Sequence, residues 1–549
     1  MIRYFVTFIL LVTNFLFAQD IPLTILKSSI FQDDFKDSRM VFAEKDKSDN
    51  LIIVRSFKSG VSTSRGLYIG KFDPSLHKIN DFKFEIEHHL SEKYSSIIGT
   101  FVKDSKVIVV EIFYDLKNKN FVCQAHIINE NYEVSKKELF SLHKDEVKGF
   151  GIQKIFDDVY DIDVTNETAG NFKIEESPVE LISGKAAKGN FGSGSRSEVL
   201  MKLNKQKTYF TVALNYLNNN KNYLKLFVFD STLDKKIEKT YEDEQNEIAR
   251  QNLELDNDVM AVYLTEKRYS IDLKDKKEGG KYSYSVRKIT NSKEEEINIS
   301  VKNHYVSFLK TFIHKDKVFS VGFYSDEGDF KYGGVCIYEM DFSKLEILKS
   351  NYNPFDAQFI IDKYGKLKDK EFKNISLKQI FFNEKDEIFI NAEEIYLKRS
   401  KINNYNYYNA VIYNHDDIIA LKLNSNLDLL YARNINKHQV MVDEDEAAYI
   451  SYSSFLVNHK NIFFVNANDK VKKLSNDRIE FGSVAKNRSN LNLIVLDDKG
   501  NFEIKEVLDD DAEENEVPFM VSKGVMIDES ILFFGRSGKK KQLLKITLE

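Results

Sequence analysis

A short apolar strand recurs along this chain at a fixed distance from an Asp or Asn. That regularity constrains the fold more than any other feature. The strand reads LIIVRSF from Leu51, VIVVEIF from Val107, YFTVALNY from Tyr209 and VFSVGFY from Val318. It returns as IFINAEEIY from Ile388, IFFVNAN from Ile462 and ILFFGRS from Ile531. β-Branched and aromatic residues dominate these runs and suit a pleated, buried surface. Six of the seven are followed by a second strand ending in Asp73, Asn129, Asp230, Asp341, Asn424 or Asp497. Asp and Asn fit there because their side chains bond to local backbone and tolerate turn geometry. The separations from strand start to Asp or Asn are 22, 22, 21, 23, 36 and 35 residues. Unrelated apolar runs do not produce four near-identical values and two longer matching ones.

The strand starts lie 56, 102, 109, 70, 74 and 69 residues apart, so each of the two long gaps has room for an insertion or a worn unit. Residues 259–300 carry VMAVYL, YSIDL and KYSYSVRKI, which read as strands without the turn signal. A further insertion or worn blade is expected around residues 145–195. Each unit reads as three or four antiparallel strands. Seven units, or eight with the worn one, predict an all-β chain with very little helix. The architecture that fits is a β-propeller, whose blades are small antiparallel sheets packed radially with short, protected edges. A β-solenoid would need shorter and more regular repeats, and a string of sandwiches would need linkers. The stretch IPLTILKSSIF (21–31) is expected to add the outer strand of the last unit and close the ring.

Residues 1–18, MIRYFVTFILLVTNFLFA, place one Arg before an apolar run too short for a comfortable membrane span. They read as a secretory signal peptide cut near Ala18, with a short anchor helix as the alternative. The remaining 19–549 are expected to form a single propeller domain that is secreted to the periplasm, the outer surface or beyond. No later segment is apolar for long enough to insert in a bilayer. With 79 basic against 85 acidic residues, the net charge of −6 offers no general attraction for nucleic acid. Cys123 and Cys336 are too few for a disulfide framework or a zinc site. A monomer without cofactor or metal is expected.

The leader ending LFAQ and the segments VGFYSDEGDFKYGGVCIYEMD, YYNAVIYNHDDIIALKLNSNLDLLYARNI and SYSSFLVN resemble secreted β-propeller repeat proteins of the Bacteroidota type. The resemblance implies export and the propeller fold, and it transfers no functional residue. Better-known propeller motifs are missing. The chain has no Trp, which removes WD-repeat blades, quinone-dependent dehydrogenase propellers and Asp-boxes. Kelch blades need a double Gly in each unit, and only Gly279-Gly280 and Gly333-Gly334 occur.

No catalytic constellation is legible. FGSGSRS (191–197) has Gly194 where a nucleophile elbow needs Ser, and no P-loop, G-x-G-x-x-G or H-E-x-x-H occurs. His88 and His89 are adjacent and would point to opposite faces of a strand. The acidic run Asp157–Asp163 lacks the Gly of a calcium loop, and Phe172 stands where its Glu is needed. Loop topology is more informative. If the recurrent strand is second in its blade, the loop after it shares a face with the connections between blades. The units starting at Ile388 and Ile462 lengthen that loop by about 13 residues. Long loops on rigid scaffolds often bind. The first holds Asn403–Asn409 (NNYNYYN), followed by Tyr413 to Asp417. Tyr and Asn together offer stacking surface and adaptable hydrogen bonds. Tyr405, Tyr407, Tyr408, Tyr413, His415 and Asp416 are therefore the candidate binding residues, unless the tyrosines extend the strands and pack between blades. The second loop carries Lys470, Lys472, Lys473, Arg478, Lys486 and Arg488, which could pair with the acidic run Asp509–Glu516. The sequence thus predicts a non-enzymatic module that binds an extracellular or envelope protein or glycan. An extracellular hydrolase acting on carbohydrate or peptide through acidic residues in the funnel is the alternative.

Overall fold

The computed structural model describes residues 22–548 apart from 59–64, 87–90, 151–196, 245–247, 270–281, 302, 329–330, 400–410, 442–447, 469–471, 476–477, 483, 485–488 and 510–516. Eight antiparallel sheets of four or five strands succeed one another around a ring. Seven of them begin at Arg39, Glu92, Ser197, Ile248, Tyr305, Ile375 and Ser453. The eighth joins Val525–Ile527, Ser530–Ser537 and Lys540–Leu548 to the N-terminal strand Leu23–Lys27. The chain is an eight-bladed β-propeller. Its closure is the expected one: Leu23 pairs opposite Leu548 and Lys27 opposite Leu544.

The recurrent strand is the second in each blade, and its position explains its sequence. In blade 1, Leu51 and Ile53 pack toward blade 8 with Leu532 and Phe534. Ile52 and Val54 pack the other way, with Val107 and Val109 of blade 2. A strand buried on both faces reads as a continuous apolar run rather than an alternating one. The Asp or Asn then builds the turn into the outermost strand. Asn424 Oδ1 accepts the N–H groups of Asn426 (2.8 Å) and Asp428 (3.0 Å), and Leu427 takes φ +73°. Leu76, Leu233 and Leu345 repeat this left-handed backbone at φ +64°, +63° and +52°. Such a conformation costs a non-Gly residue roughly 1–2 kcal/mol. All four leucines are buried in the seams between blades, and burying one contributes about 1.5–3 kcal/mol. Burial therefore offsets the strain. Asn424→Ala should lose about 1 kcal/mol in urea denaturation, because the turn is exposed and water replaces part of what the side chain supplied.

Blade 4 is the unit that lacks the turn signal. Its strands are Ile248–Leu255, Val262–Tyr269, Tyr282–Ile289 and Glu294–Ile299. Thr290 takes the place of Asp, its hydroxyl accepting the N–H of Lys293 at 3.1 Å. The insertion expected around 145–195 falls largely on residues 151–196, which lie outside the described residues. His88, His89 and the run Asp157–Asp163 lie outside them as well.

One α-helix, Ala357–Tyr364, is found among the described residues, in the connection from blade 5 to blade 6. Asp356 caps it by accepting from Phe359 N–H (2.8 Å), and Gly365 ends it at φ +70°. Phe359 is fully buried between Phe355 and Phe372 and anchors the helix. No described helix is long and apolar enough to cross a membrane. Both cysteines are free and buried.

Candidate functional site

In a meander of this kind the second-to-third connections emerge on the same face as the connections between blades. Among the described residues, blade 6 has the longest second and third strands. Its second and third strands, Ile388–Arg399 and Val411–Leu423, run for 12 and 13 residues against 8 in the second strand of blade 1. Part of the added length expected as loop is therefore strand. Tyr413 pairs with Leu397 on one side and Met441 on the other, and His415 with Ile395 and Gln439. Tyr413, His415 and Asp416 are half-buried strand residues. Tyr405, Tyr407 and Tyr408 lie outside the described residues.

His415 belongs to a cluster centred on Glu393, which is fully buried at the seam between blades 6 and 7. Glu393 Oε1 receives Lys437 Nζ at 2.7 Å, and Lys437 is equally buried. The other oxygen, Oε2, receives Ser451 Oγ at 2.6 Å and His415 Nδ1 at 3.1 Å, with Lys378 Nζ at 3.6 Å. Burial opposes ionisation of Glu393, but the charges of Lys437, His415 and Lys378 outweigh it and hold the carboxyl well below the ordinary range. An ionised carboxylate only accepts, so His415 Nδ1 carries a hydrogen and donates it. Lys437 also donates to the His415 carbonyl (2.9 Å) and to Gln439 Oε1 (3.3 Å). Lys378 and His415 are the members that reach solvent.

A second cluster lies beside the first. A bulge follows Glu393 in the strand pairing, and Glu394 turns toward the helix, where Lys363 Nζ meets it at 2.5 Å. Lys363 also bonds Asp417 at 2.8 Å, and Asp417 accepts from Asn434 Nδ2 and from the Lys437 N–H. Burial raises the Glu394 carboxyl in spite of Lys363. Asp416 takes His438 Nδ1 at 2.7 Å. Burial and the charge of Asp416 push the Tyr396 hydroxyl up to about 12. Arg478, one of the second-loop cations, donates to the last helix carbonyls, Asp362 O (2.8 Å) and Lys363 O (2.7 Å). Cations are favourable at that end of a helix. Lys472 pairs with Glu480, and residues 510–516 lie outside the described ones.

The chemistry of this arrangement is specific. Ser451 gives its hydrogen to the carboxylate directly, whereas a nucleophilic Ser hands it to an imidazole. Glu393 is too acidic to serve as a general acid near neutral pH. What the cluster does is fix His415, Lys378 and the base of the long hairpin in one orientation. Sequence reasoning placed His415 and Asp416 here but missed Glu393, Lys437, Ser451, Lys378 and Lys363. One signal was available: a Glu inside IFINAEEIY, a run that must be buried, has to meet a cation. The same signal marks Arg55, which bonds Asp33 and Asp81, and Glu111, which bonds His126 at 2.7 Å.

No protein-family model and no curated protein matches the chain. Among solved structures it is similar to the β-propeller domain of the Trilobed protease from Pyrococcus furiosus. Identity there is 11%, covering 65% of this chain and 94% of that one, with a TM-score of 0.24. It is similar to an acylaminoacyl peptidase of Pyrococcus horikoshii at 10% identity and a TM-score of 0.33. That match covers 82% of this chain and 52% of the peptidase. It is also similar to the α-L-arabinofuranosidase Arb93A of Fusarium graminearum at 8% identity, covering 64% and 92%, with a TM-score of 0.28. Identities and TM-scores this low bear on no activity.

Proposed function

We propose that this chain is an exported, non-enzymatic propeller that binds an extracellular or envelope protein or glycan through the face carrying the blade 6 hairpin. The observation that supports this most is the state of the Glu393 cluster. Its carboxylate is already matched by Lys437, Lys378, His415 and Ser451. Such a group stiffens a platform rather than exchanging protons with a substrate. Tyr413, Asp416 and His438 remain partly exposed, and Tyr405, Tyr407 and Tyr408 precede Tyr413 in the chain. Tyr and His present flat surface with a polar edge, the composition of many binding faces.

A second reading, an extracellular hydrolase acting on carbohydrate or peptide, is favoured by one observation. Glu393 and Glu394 are neighbours whose carboxyls shift in opposite directions, a pattern that in enzymes separates acid from base. One experiment separates the two. Crosslinked capture with residues 19–549 as bait, in an envelope extract of the source organism, is read by mass spectrometry beside glycan and peptide hydrolysis screens. The binding reading expects a specific partner that is lost when Tyr405, Tyr407 and Tyr408 are changed together to Ala, with the melting temperature kept. Turnover abolished by Glu394→Gln would replace it with the hydrolase.

A further inference from the structure

Building on the binding function proposed for this face, we infer that the partner is an acidic polysaccharide, held along a row of lysines that follows the helix Ala357–Tyr364. After Gly365 the chain reads KLKDKEFK before it enters blade 6. Lys366, Lys368, Lys370 and Lys373 are all exposed, and none of them forms an ion pair among the described residues. Asp369 and Glu371 are the carboxylates of the same stretch. Glu371 is engaged by Ser325 Oγ at 2.6 Å and by the Asp326 N–H at 3.1 Å. A fifth cation comes from blade 7. Arg478 fastens the short hairpin of Lys472–Lys473 and Ile479–Glu480 to the helix end through Asp362 O and Lys363 O. A Cβ at Gly365 would lie 2.6 Å from Arg478 Nη2 and 3.2 Å from Ser475 Oγ, so the hairpin tip abuts the start of the row. Lys473, next to that tip, is exposed and forms no ion pair among the described residues, whereas Glu480 matches Lys472. On a chain of net charge −6 this is a local reversal of sign.

The row is not arranged for stability. Lys373 stands directly opposite Lys331 in the two-stranded ribbon that anchors the segment, and like charges so placed are destabilising. Glu327 matches Lys331 but not Lys373. Unmatched cations set side by side gain from an anion that spans them. Geometry decides which anion. Lys368 and Lys370 both lie over the Tyr364 ring, at 4.4 and 5.8 Å. Alternate residues therefore share one side of the segment, and at the rise of an extended chain successive lysines stand about 6–7 Å apart. A linear polymer with a carboxylate or sulfate on successive sugars meets such a row charge by charge and needs no pocket. An acidic protein segment would draw its affinity from aromatic or aliphatic anchors seated in pockets, and the large apolar side chain exposed in this segment is Leu367. Leu367 also argues against a lipid surface. It shares the side away from Tyr364 with Asp369, so its insertion would press a carboxylate against anionic headgroups.

Isothermal titration of residues 19–549 with polygalacturonate, beside its methyl ester and dextran, tests the assignment. Saturable binding to polygalacturonate is expected, and none to the two uncharged polymers. Affinity should fall about tenfold between roughly 0.05 and 0.3 M salt, because exposed lysines are screened. Lys366, Lys368 and Lys370 changed together to Glu should weaken binding about tenfold with the melting temperature kept, while Arg at all three positions should preserve it. If the Glu variant does not fold, Gln at the three positions replaces it with the same expectation. Lys47, Lys106 and Lys136, exposed lysines of blades 1 and 2, supply the control: changing them to Glu makes the same change in net charge and should leave affinity unaltered. Absence of saturable binding, indifference to the row variant, or an equal loss in the control would overturn the inference. So would tighter binding of poly-L-glutamate, which would assign the row to an acidic protein. Binding to phosphatidylglycerol vesicles that Leu367→Ser abolishes would overturn it in favour of a lipid surface. A protein partner captured without any polygalacturonate binding would remove the polysaccharide and leave the binding function standing.

Discussion

Arg55→Leu is expected to lower the stability of the ring by about 3–5 kcal/mol, as is usual when one partner of a buried ion pair is removed. Arg55 sits on the second strand of blade 1 with no exposure to solvent. Its Nε and Nη2 donate to Asp33 at 3.2 and 3.0 Å, and Nη2 also meets Asp81 at 2.8 Å. The guanidinium lies 5.1 Å from the Phe31 ring and 5.3 Å from the Tyr68 ring. Asp33 is the decisive partner. It belongs to the N-terminal segment that closes the propeller, its side chain is fully buried, and its remaining side-chain bond is from Ser38 Oγ at 2.5 Å. Without Arg55 it must stay charged in the seam, where Lys541 is the cation whose charge still reaches it, or take up a proton, and both outcomes are costly. Asp81 is 19% exposed and can turn to water. The loss should therefore follow Asp33, and Arg55→Leu combined with Asp33→Leu should recover much of it. Urea denaturation of both variants measures this. A single-variant loss under about 1 kcal/mol, or a double variant as weak as the sum of the singles, would mean that the pair does not hold the closure.

The closure and seven of the eight blades were legible because their physics is repetitive. Any strand buried on both faces must be apolar throughout, and any tight turn into the outer strand favours Asp or Asn. Blade 4 escaped that signal because Thr290 makes the turn with a hydroxyl in place of a carboxylate. The site was legible only in part. Tyr413 to Asp417 have the composition of a loop, and what makes them strand is the pairing of Tyr413 and His415 with Met441 and Gln439. Those partners lie in the connection to the next blade, where no local pattern announces them. Lys437, Ser451 and Lys378 reach Glu393 from three further places in the chain. Their convergence is a product of the ring geometry. Arg478 shows the same limit from the other side. It donates to the carbonyls of a helix that strand periodicity cannot foresee.

The strongest constraint on the site follows from that convergence. Glu393→Ala should cost about 3–5 kcal/mol, because it leaves the fully buried Lys437 ammonium with only the His415 carbonyl and Gln439 as acceptors. Glu393→Gln keeps the volume and removes the charge, so its pH dependence isolates the electrostatic part. The folded-state value of Glu393 lies well below its ordinary 4.5. The ionised group therefore contributes stability that is fully present above about pH 4.5 and is lost as pH falls through the folded value. The stability gap between the native chain and Glu393→Gln should accordingly be flat from pH 5 to 7 and narrow below 4.5. Urea denaturation across that range measures it. A gap that stays constant to pH 3 would mean that hydrogen bonding rather than charge holds the cluster. A gap that closes as expected makes Glu393 the anion on which the platform under the long hairpin is built. In that case Glu393→Gln at pH 7 should loosen partner capture while Tyr413, Asp416 and His438 keep their own side chains.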